Sequence, residues 1–336
     1  MLKYVKLLPA SHPLSKIRHA IQHGDIPWQV LIMVASALVM LLMLGIGLQL
    51  WNESATARAH NGGLSFLLPT LDPRWDPVGD IYQAWPFIYG TLLTSLIAIL
   101  LALPISIGIA VFLAELCPAW LRTPLNWLME LLAAIPSVVY GLWGLFIFLP
   151  AVVVPVGTFL GDSLGNIPGL SILFAGPISQ SGASLLGAAM VITIMVIPTI
   201  AAVSRDVLTA IPPAQREASL ALGSTEWETI WQVLLPYGLS GILGAVILGL
   251  GRALGETMAV TMVIGNSAAG SISILRPGYT MASVIANEFA EAVSALHAQS
   301  LIEVGFILFI TTLLLNMLAR FLVWRVARKT PQEARA

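Results

Sequence analysis

Six long apolar runs constrain this chain more than any other feature of its sequence. Each run reaches about 20 residues, the length that an α-helix needs to cross the hydrocarbon core of a bilayer. A helix in lipid also satisfies its own backbone hydrogen bonds. We therefore predict an all-α membrane protein with six transmembrane helices. The predicted spans are Trp28–Trp51, Trp85–Leu113, Trp127–Pro150, Ala183–Val203, Tyr237–Ile264 and Ser300–Trp324.

The composition supports a membrane location. Only 10% of the 336 residues are charged and 57% are hydrophobic, whereas soluble domains carry about 25% charged residues. So few charges cannot cover the surface of a water-soluble protein of this size. The formal net charge of -1 gives no indication of nucleic-acid binding, and membrane lipid is the expected surrounding.

Several kinds of chemistry are not expected of this chain. Cys117 is the only cysteine, so the chain forms no internal disulfide, and its five histidines lie outside the spans without ligand spacing. We predict no metal site and no cofactor. No lysine follows a glycine, so a Walker A phosphate loop is excluded, and any ATP hydrolysis must come from another polypeptide. The chain is therefore not expected to be an enzyme.

The basic residues predict which side of the membrane each connection faces. Most of the 16 lysines and arginines fall in alternate connections and at both ends of the chain. Positive charge marks the cytoplasmic side, so we predict that both termini are cytoplasmic. The basic residues that carry this prediction are Lys3, Lys6, Lys16, Arg18, Arg122, Arg205, Arg216, Arg320, Arg325, Arg328, Lys329 and Arg335.

This orientation divides the chain into three parts. Residues 1–84 would hold the N-terminal cytoplasmic segment, the first span and an outer loop. Residues 85–324 would form the core, with a cytoplasmic loop over 205–236, and residues 325–336 a cytoplasmic tail. The outer connections are long and rich in Gly, Pro and Ser, and two interpretations stay open for them: a docking surface for an external partner, or solvated loops.

The connection Ile211–Pro236 has the strongest local signals. A proline pair suits the start of a helix, and Gly223 suits a left-handed C-terminal cap. Thr225 stands three residues before Glu228, which is the spacing of a capping box. Pro236 would then begin the fifth span. We predict two short helices that meet at a glycine corner on the cytoplasmic face.

The fifth run contains charges inside an apolar segment, in the sequence Gly251-Arg252-Ala253-Leu254-Gly255-Glu256-Thr257. An arginine at mid-membrane costs roughly 2.5–3.5 kcal/mol on insertion scales, which makes it a functional candidate. Arg252 and Glu256 are four residues apart and would share one helix face. The glycines Gly251 and Gly255 would allow close approach of a neighbouring helix.

Two interpretations of these charges remain open. In the structural one, Arg252 and Glu256 neutralise each other or bridge to another helix. In the functional one, Arg252 faces a water-filled pathway and binds an anion, because a guanidinium matches the oxygens of phosphate in a bidentate fork. Glu256 would then orient the arginine and prevent trapping of the anion. Thr257 could add a hydroxyl donor, or it could bond its own backbone.

The cytoplasmic loop resembles a family motif. Glu217-Ala218-Ser219, then Gly223, then Val233-Leu234-Leu235-Pro236 is similar to the EAA motif of ABC importer permeases, with Ser in place of the second Ala and Val in place of Ile. The resemblance implies a coupling helix that docks on a cytoplasmic ATPase, with matched positions Glu217, Ala218, Gly223 and Pro236. A helix that only anchors the bundle at the interface is the alternative.

Two further stretches are narrower. GRALGETMAVTMVIGN at 251–266 and IPSVVYGLWG at 135–144 resemble the PstC family of phosphate-specific ABC permease subunits, and the resemblance extends from about Trp85 to Trp324. It implies a type I (MetI-like) importer permease fold and a role for Arg252 and Glu256 in phosphate movement. The implied partners are a PstA-like permease, a PstB-like ATPase dimer and an extracytoplasmic phosphate-binding protein.

Three other functions remain as alternatives. The chain could be a permease for another oxyanion, such as sulfate or molybdate. It could be a secondary proton-coupled anion carrier with Glu256 as the proton site. It could also act in phosphate signalling, to which importers of this family are linked.

Overall fold

The computed structural model describes residues 25–69 and 74–327. Over these ranges the ordered elements are helices, apart from one isolated bridge between Asp76 and Ile81. Six helical segments in this part of the chain are long and apolar enough to cross a membrane, which confirms the predicted all-α membrane architecture. Those spans are Trp28–Glu53, Trp85–Leu116, Ser137–Leu164, Leu185–Thr209, Glu226–Gly255 and Ala295–Arg325.

The predicted sidedness rests partly on residues outside the described ranges. These are Lys3, Lys6, Lys16 and Arg18 before the first span and Arg328, Lys329 and Arg335 after the last. Orientation therefore stays a prediction.

The helices shorter than a span are Ala55–Asn61, Leu64–Leu67, Ala119–Ala134, Ser171–Phe174, Pro213–Ala221, Met258–Val263 and Met281–Glu288.

The chain divides into two compact units, Met1–Asn52 and Glu53–Ala336. In the first unit, the described part is the helix that begins at Asp25, and its sequence is apolar on all sides. A helix without a polar face is typical of a membrane span. The second unit contains the other five spans and is described below.

The fourth span, Leu185–Thr209, is the central helix of the second unit. Within its most apolar window 67% of the residues are buried, a larger share than in any other span of the described chain. Its start is capped by Ser184, whose hydroxyl accepts a hydrogen bond from the Gly187 N–H at 3.1 Å. Its buried side chains pack with those of the second, third and fifth spans in one continuous hydrophobic core. The position of each neighbouring span is thus set by this helix.

The third span differs from the prediction. The helix Ala119–Ala134 ends before Pro136, and Ile135 has extended backbone angles (φ -61, ψ 129). A residue that precedes proline is disfavoured in the α conformation, so the predicted span Trp127–Pro150 is wrong in its bounds. The span begins at Ser137 and continues to Leu164. It passes Pro150 within a π-helical segment, Gly144–Val153.

The connection between the fifth and sixth spans is ordered and partly buried. The Ile274 N–H donates to the Leu173 carbonyl at 2.8 Å, and the Leu186 N–H donates to the Ile274 carbonyl at 2.8 Å. Leu275 beside them is fully buried. Backbone groups inside a protein must find partners. This segment finds them in the fourth span and in the connection between the third and fourth spans. The interpretation as a simple solvated loop is therefore wrong for this stretch.

The close contact between the second span and this connection gives a prediction of stability. A Cβ atom at Gly90 would overlap the carbonyl oxygen of Tyr279, a backbone atom that cannot rotate away. We expect Gly90→Ala to lower the free energy of unfolding by about 1–3 kcal/mol, the usual cost of overpacking. The melting temperature of the purified protein in detergent should fall accordingly.

Gly108 offers the matched control in the same helix. A Cβ atom added at Gly108 would meet no atom within 4 Å, and alanine is a better helix former than glycine. Gly108→Ala should therefore leave the melting temperature unchanged or raise it. Equal losses in both variants would contradict the assignment of Gly90 as a contact glycine.

Candidate functional site

Arg252 lies in the last turn of the helix Leu235–Gly255, the main part of the fifth span. Its Nη1 donates a hydrogen bond to the hydroxyl oxygen of Thr199 in the fourth span, at 3.1 Å. The arginine is half-buried, so it is not sealed among apolar neighbours. A positive charge is favoured at this end of a helix because the carbonyl dipoles point toward it.

Thr199 was not singled out by the sequence analysis. It follows Pro198 inside the fourth span and is 53 residues from Arg252, so no local spacing pattern connects the two. A hydroxyl has two lone pairs and one proton. Thr199 can therefore accept from the guanidinium and still donate its own proton to a third group.

Glu256 is placed differently from the prediction. The fifth-span helix ends at Gly255, and Glu256 has extended backbone angles (φ -66, ψ 122). Within the described residues no ion pair connects Glu256 to Arg252. Its Oε1 instead accepts a hydrogen bond from the Ala259 N–H at 3.3 Å and so caps the helix Met258–Val263. The predictions of an unbroken span and of a shared helix face are therefore wrong, because the helix breaks between the two charges.

Thr257 lies at this break and bonds its own backbone. Its hydroxyl donates to the Gly255 carbonyl at 3.0 Å. Thr261 behaves in the same way and donates to the Thr257 carbonyl at 2.8 Å. Both hydroxyls thus donate to nearby backbone carbonyls, which for Thr257 is the backbone alternative that the sequence left open.

The fifth span presents an open face beside Arg252. A Cβ atom added at Gly244, Gly251 or Gly255 would meet no atom within 4 Å, and Leu248 on the same face is exposed. Arg252 is four residues after Leu248 and three before Gly255, so it borders this face. The predicted close helix contact is found instead earlier in the span, where Gly241 meets Val207 and Gly249 meets Ile200.

The loop between the fourth and fifth spans forms the predicted corner. The helix Pro213–Ala221 ends at Gly223, whose φ is +91. The Gly223 N–H donates to the Leu220 carbonyl at 2.9 Å, and the Ser224 N–H donates to the Ser219 carbonyl at 3.3 Å. Together these two bonds make a Schellman motif, in which a left-handed residue satisfies the final carbonyls of a helix.

The element after the corner is longer than predicted. Thr225 and Glu228 form the predicted capping box, with bonds of 3.2 Å and 2.8 Å. The helix does not stop there, however, and continues through the π-helical segment Ile230–Leu234 into the fifth span. Pro236 is thus inside a continuous helical run rather than at its start. The run Glu226–Leu234, which we call the lever, thus extends from the corner into the fifth span without interruption.

Ser219 explains one departure from the EAA pattern. Its hydroxyl lies 3.0 Å from the hydroxyl of Thr229, and both side chains are buried between the two helices of the corner. An alanine at this position would leave Thr229 without that partner. Glu217 and Ala218, by contrast, are exposed on the helix Pro213–Ala221, which we call the loop helix.

In residues 25–69 and 74–327, no group of three or more His, Cys, Asp or Glu side chains is arranged to hold a metal ion.

Apolar spans packed around a half-buried arginine mark this chain as an integral membrane protein with a polar site in its bundle. The fold agrees with this class. The crystal structure of a bacterial ABC transporter involved in the import of the acidic polysaccharide alginate superposes with a TM-score of 0.55. The match covers 93% of this chain and 100% of that chain at 14% sequence identity, so it establishes the type I importer permease fold alone.

The relatives and the family are more specific. The model of the family "Binding-protein-dependent transport system inner membrane component" matches residues 105–330. The phosphate transport system permease protein PstC of Xylella fastidiosa is 44% identical over 307 residues, which cover 91% of this chain and 92% of that protein. PstC of Pasteurella multocida is 48% identical over 267 residues, which cover 80% and 82%. The chain belongs to the family of binding-protein-dependent transport system inner membrane components.

The glycine corner yields a second prediction. Nothing lies within 4 Å of a Cβ at Gly223, so a substitution there changes backbone conformation alone. Valine is β-branched and strongly disfavours positive φ. Gly223→Val should therefore increase hydrogen–deuterium exchange across Pro213–Ala221 in the purified protein.

Asparagine provides the control because it tolerates positive φ better than other residues with a side chain. Gly223→Asn should show a smaller increase in exchange than Gly223→Val. Protection that is unchanged in both variants would show that the corner does not need a left-handed residue.

Proposed function

We propose that this chain is the membrane-spanning permease subunit of an ATP-driven importer of inorganic phosphate. The observation that carries the proposal is the half-buried guanidinium of Arg252, held by Thr199 beside an open face of the fifth span. The identity of 44% and 48% to two proteins named PstC supports phosphate as the substrate.

The geometry around Arg252 suits transient anion binding. One guanidinium nitrogen is occupied by Thr199, and the remaining N–H donors can bind phosphate oxygens in a fork. Thr199 fixes the arginine and can add its own hydroxyl proton to the anion. Arg252 is the only arginine in the described span Glu226–Gly255, and a single guanidinium is consistent with binding that is weak enough for release, as conduction requires.

A sister permease, resembling PstA, would complete the pathway. The face formed by Gly244, Leu248 and Gly251 has open space beside it and no covering helix from the described chain, and Gly255 ends the helix beyond this face. Small residues on a membrane helix allow a partner helix to approach closely. A partner seated on this face would place Arg252 at the boundary between the two subunits, where a water-filled pathway can form.

The loop between the fourth and fifth spans would receive force from a PstB-like ATPase dimer. Leu222 is 89% exposed at the glycine corner, and Trp227 and Trp231 are exposed beside it. Such an apolar cluster on a capped helix is suited to a groove on a partner protein. Glu217 and Ala218 would face that groove, and Gly223 would set the corner. In this proposal both termini and the loop are cytoplasmic, and an extracytoplasmic phosphate-binding protein delivers the substrate on the other side.

The test is phosphate uptake by the complete complex in proteoliposomes with the binding protein and ATP. Arg252→Gln should abolish uptake while the subunits still assemble, because glutamine removes the charge and keeps a polar side chain. Arg252→Lys should retain part of the uptake, since a point charge replaces the fork. Thr199→Val should raise the KM for phosphate, and Thr199→Ser should restore it.

Controls on the same preparation separate the alternatives. Inhibition of phosphate uptake by sulfate or molybdate, added at the same concentration as phosphate, would indicate a permease for a broader range of oxyanions. Uptake driven by a proton gradient without the ATPase would indicate a secondary carrier. Full uptake by Arg252→Gln would contradict the proposed site, and loss of assembly in that variant would assign Arg252 a structural role.

A further inference from the structure

Arg216 makes four side-chain hydrogen bonds, and the proposed function does not use this residue. Its Nε and Nη2 donate to the two carboxylate oxygens of Glu115, at 2.9 Å and 2.5 Å. Its Nη1 donates to the Ile211 carbonyl at 2.9 Å, and Nη2 also donates to the Leu208 carbonyl at 3.0 Å. One guanidinium therefore satisfies four acceptor atoms.

These acceptors belong to different elements of the fold. Glu115 lies in the π-helical segment Phe112–Leu116, which ends the second span. Leu208 is in the last turn of the fourth span, and Ile211 follows it. Arg216 itself is on the loop helix, one residue before Glu217. The side chain thus joins the loop helix to two spans at once.

The pair is built to resist separation. The Arg216 and Glu115 side chains are 24% and 14% exposed, so water screens them only in part. Bidentate geometry between a guanidinium and a carboxylate is stronger and more directional than a single contact. Hydrogen bonding to Glu115 raises the pKa of Arg216 against the opposing effect of burial, so the arginine stays charged.

A second contact holds the loop helix. The buried contact between Ser219 and Thr229 ties it to the lever that leads into the fifth span. The fourth span, which accepts the Leu208 bond, also carries Thr199, nine residues earlier on the same helix. A displacement of the loop helix would therefore reach both spans that meet at Arg252.

We propose that the Arg216–Glu115 pair is a mechanical clamp that carries movement of the loop helix to the second and fourth spans. Arg216 and Glu115 act as positioning residues and touch no substrate. This inference rests on the proposed function, since the movement originates in ATPase docking. The competing explanation is a contact needed only for folding and assembly.

The test measures phosphate taken up per ATP hydrolysed by the complete complex in proteoliposomes, with radiolabelled inorganic phosphate and the binding protein. Arg216→Gln and Glu115→Gln should leave assembly and ATP hydrolysis in place and lower that ratio roughly 2- to 30-fold, the range of coupling effects seen along contact networks. The charge-reversed double variant Arg216→Glu with Glu115→Arg should recover part of the ratio, because it restores a pair.

Arg122 supplies the control. It lies a few residues after Glu115, is exposed, and donates to the Cys117 carbonyl at 3.3 Å rather than to a carboxylate. Arg122→Gln should leave the ratio unchanged. An unchanged ratio in Arg216→Gln would overturn the clamp, and so would failure of both single variants and the double variant to assemble. Absence of ATP-dependent phosphate uptake by the wild-type complex would instead overturn the proposed function.

Discussion

The hydrogen bond between Arg252 and Thr199 is the interaction on which the functional account depends. A guanidinium within an apolar bundle needs compensation, and here it comes from a hydroxyl on the central helix and from the carbonyl end of its own helix. Neither partner is an anion. The positive charge is therefore held in place without being neutralised, and it remains available to a negatively charged substrate.

The break after Gly255 makes this arrangement possible. An unbroken helix would bring Glu256 onto the same face as Arg252, one turn away, and the two charges would pair. Extended backbone at Glu256 directs the carboxylate to the Ala259 N–H instead. At the same break the Thr257 hydroxyl donates to the Gly255 carbonyl. Irregular backbone at membrane depth is tolerated where a protein encloses it or a cavity adjoins it.

The features that depend on local chemistry could be predicted from the sequence, and those that depend on distant contacts could not. Apolar runs determined the spans, and the Thr225–Glu228 spacing and Gly223 determined the corner, since each acts within one helical turn. The third span was misplaced because hydropathy ignores the effect of Pro136 on Ile135. The pair of Arg216 and Glu115 is separated by 101 residues, and no short pattern indicates it.

Site and loop are joined through the fourth span. Arg216 on the loop helix bonds the Leu208 carbonyl near the end of that span, and Thr199 on the same helix holds Arg252. Packing in this part of the molecule is close, as the contact of Gly249 with Ile200 indicates. Closely packed helices move as bodies rather than deform. Rigid movement of the fourth span relative to the fifth would alter the setting of the guanidinium.

The charge preference of thiol labelling next to Arg252 tests the central claim most directly. Gly255→Cys, in a Cys117→Ala background, introduces a thiol three residues from Arg252 at a position with space for a side chain. In the complete complex, an anionic methanethiosulfonate should label this cysteine faster than a cationic one, and Arg252→Gln should remove that preference. Absence of labelling in every nucleotide state, or a preference unchanged by Arg252→Gln, would contradict a water-exposed guanidinium on the anion pathway.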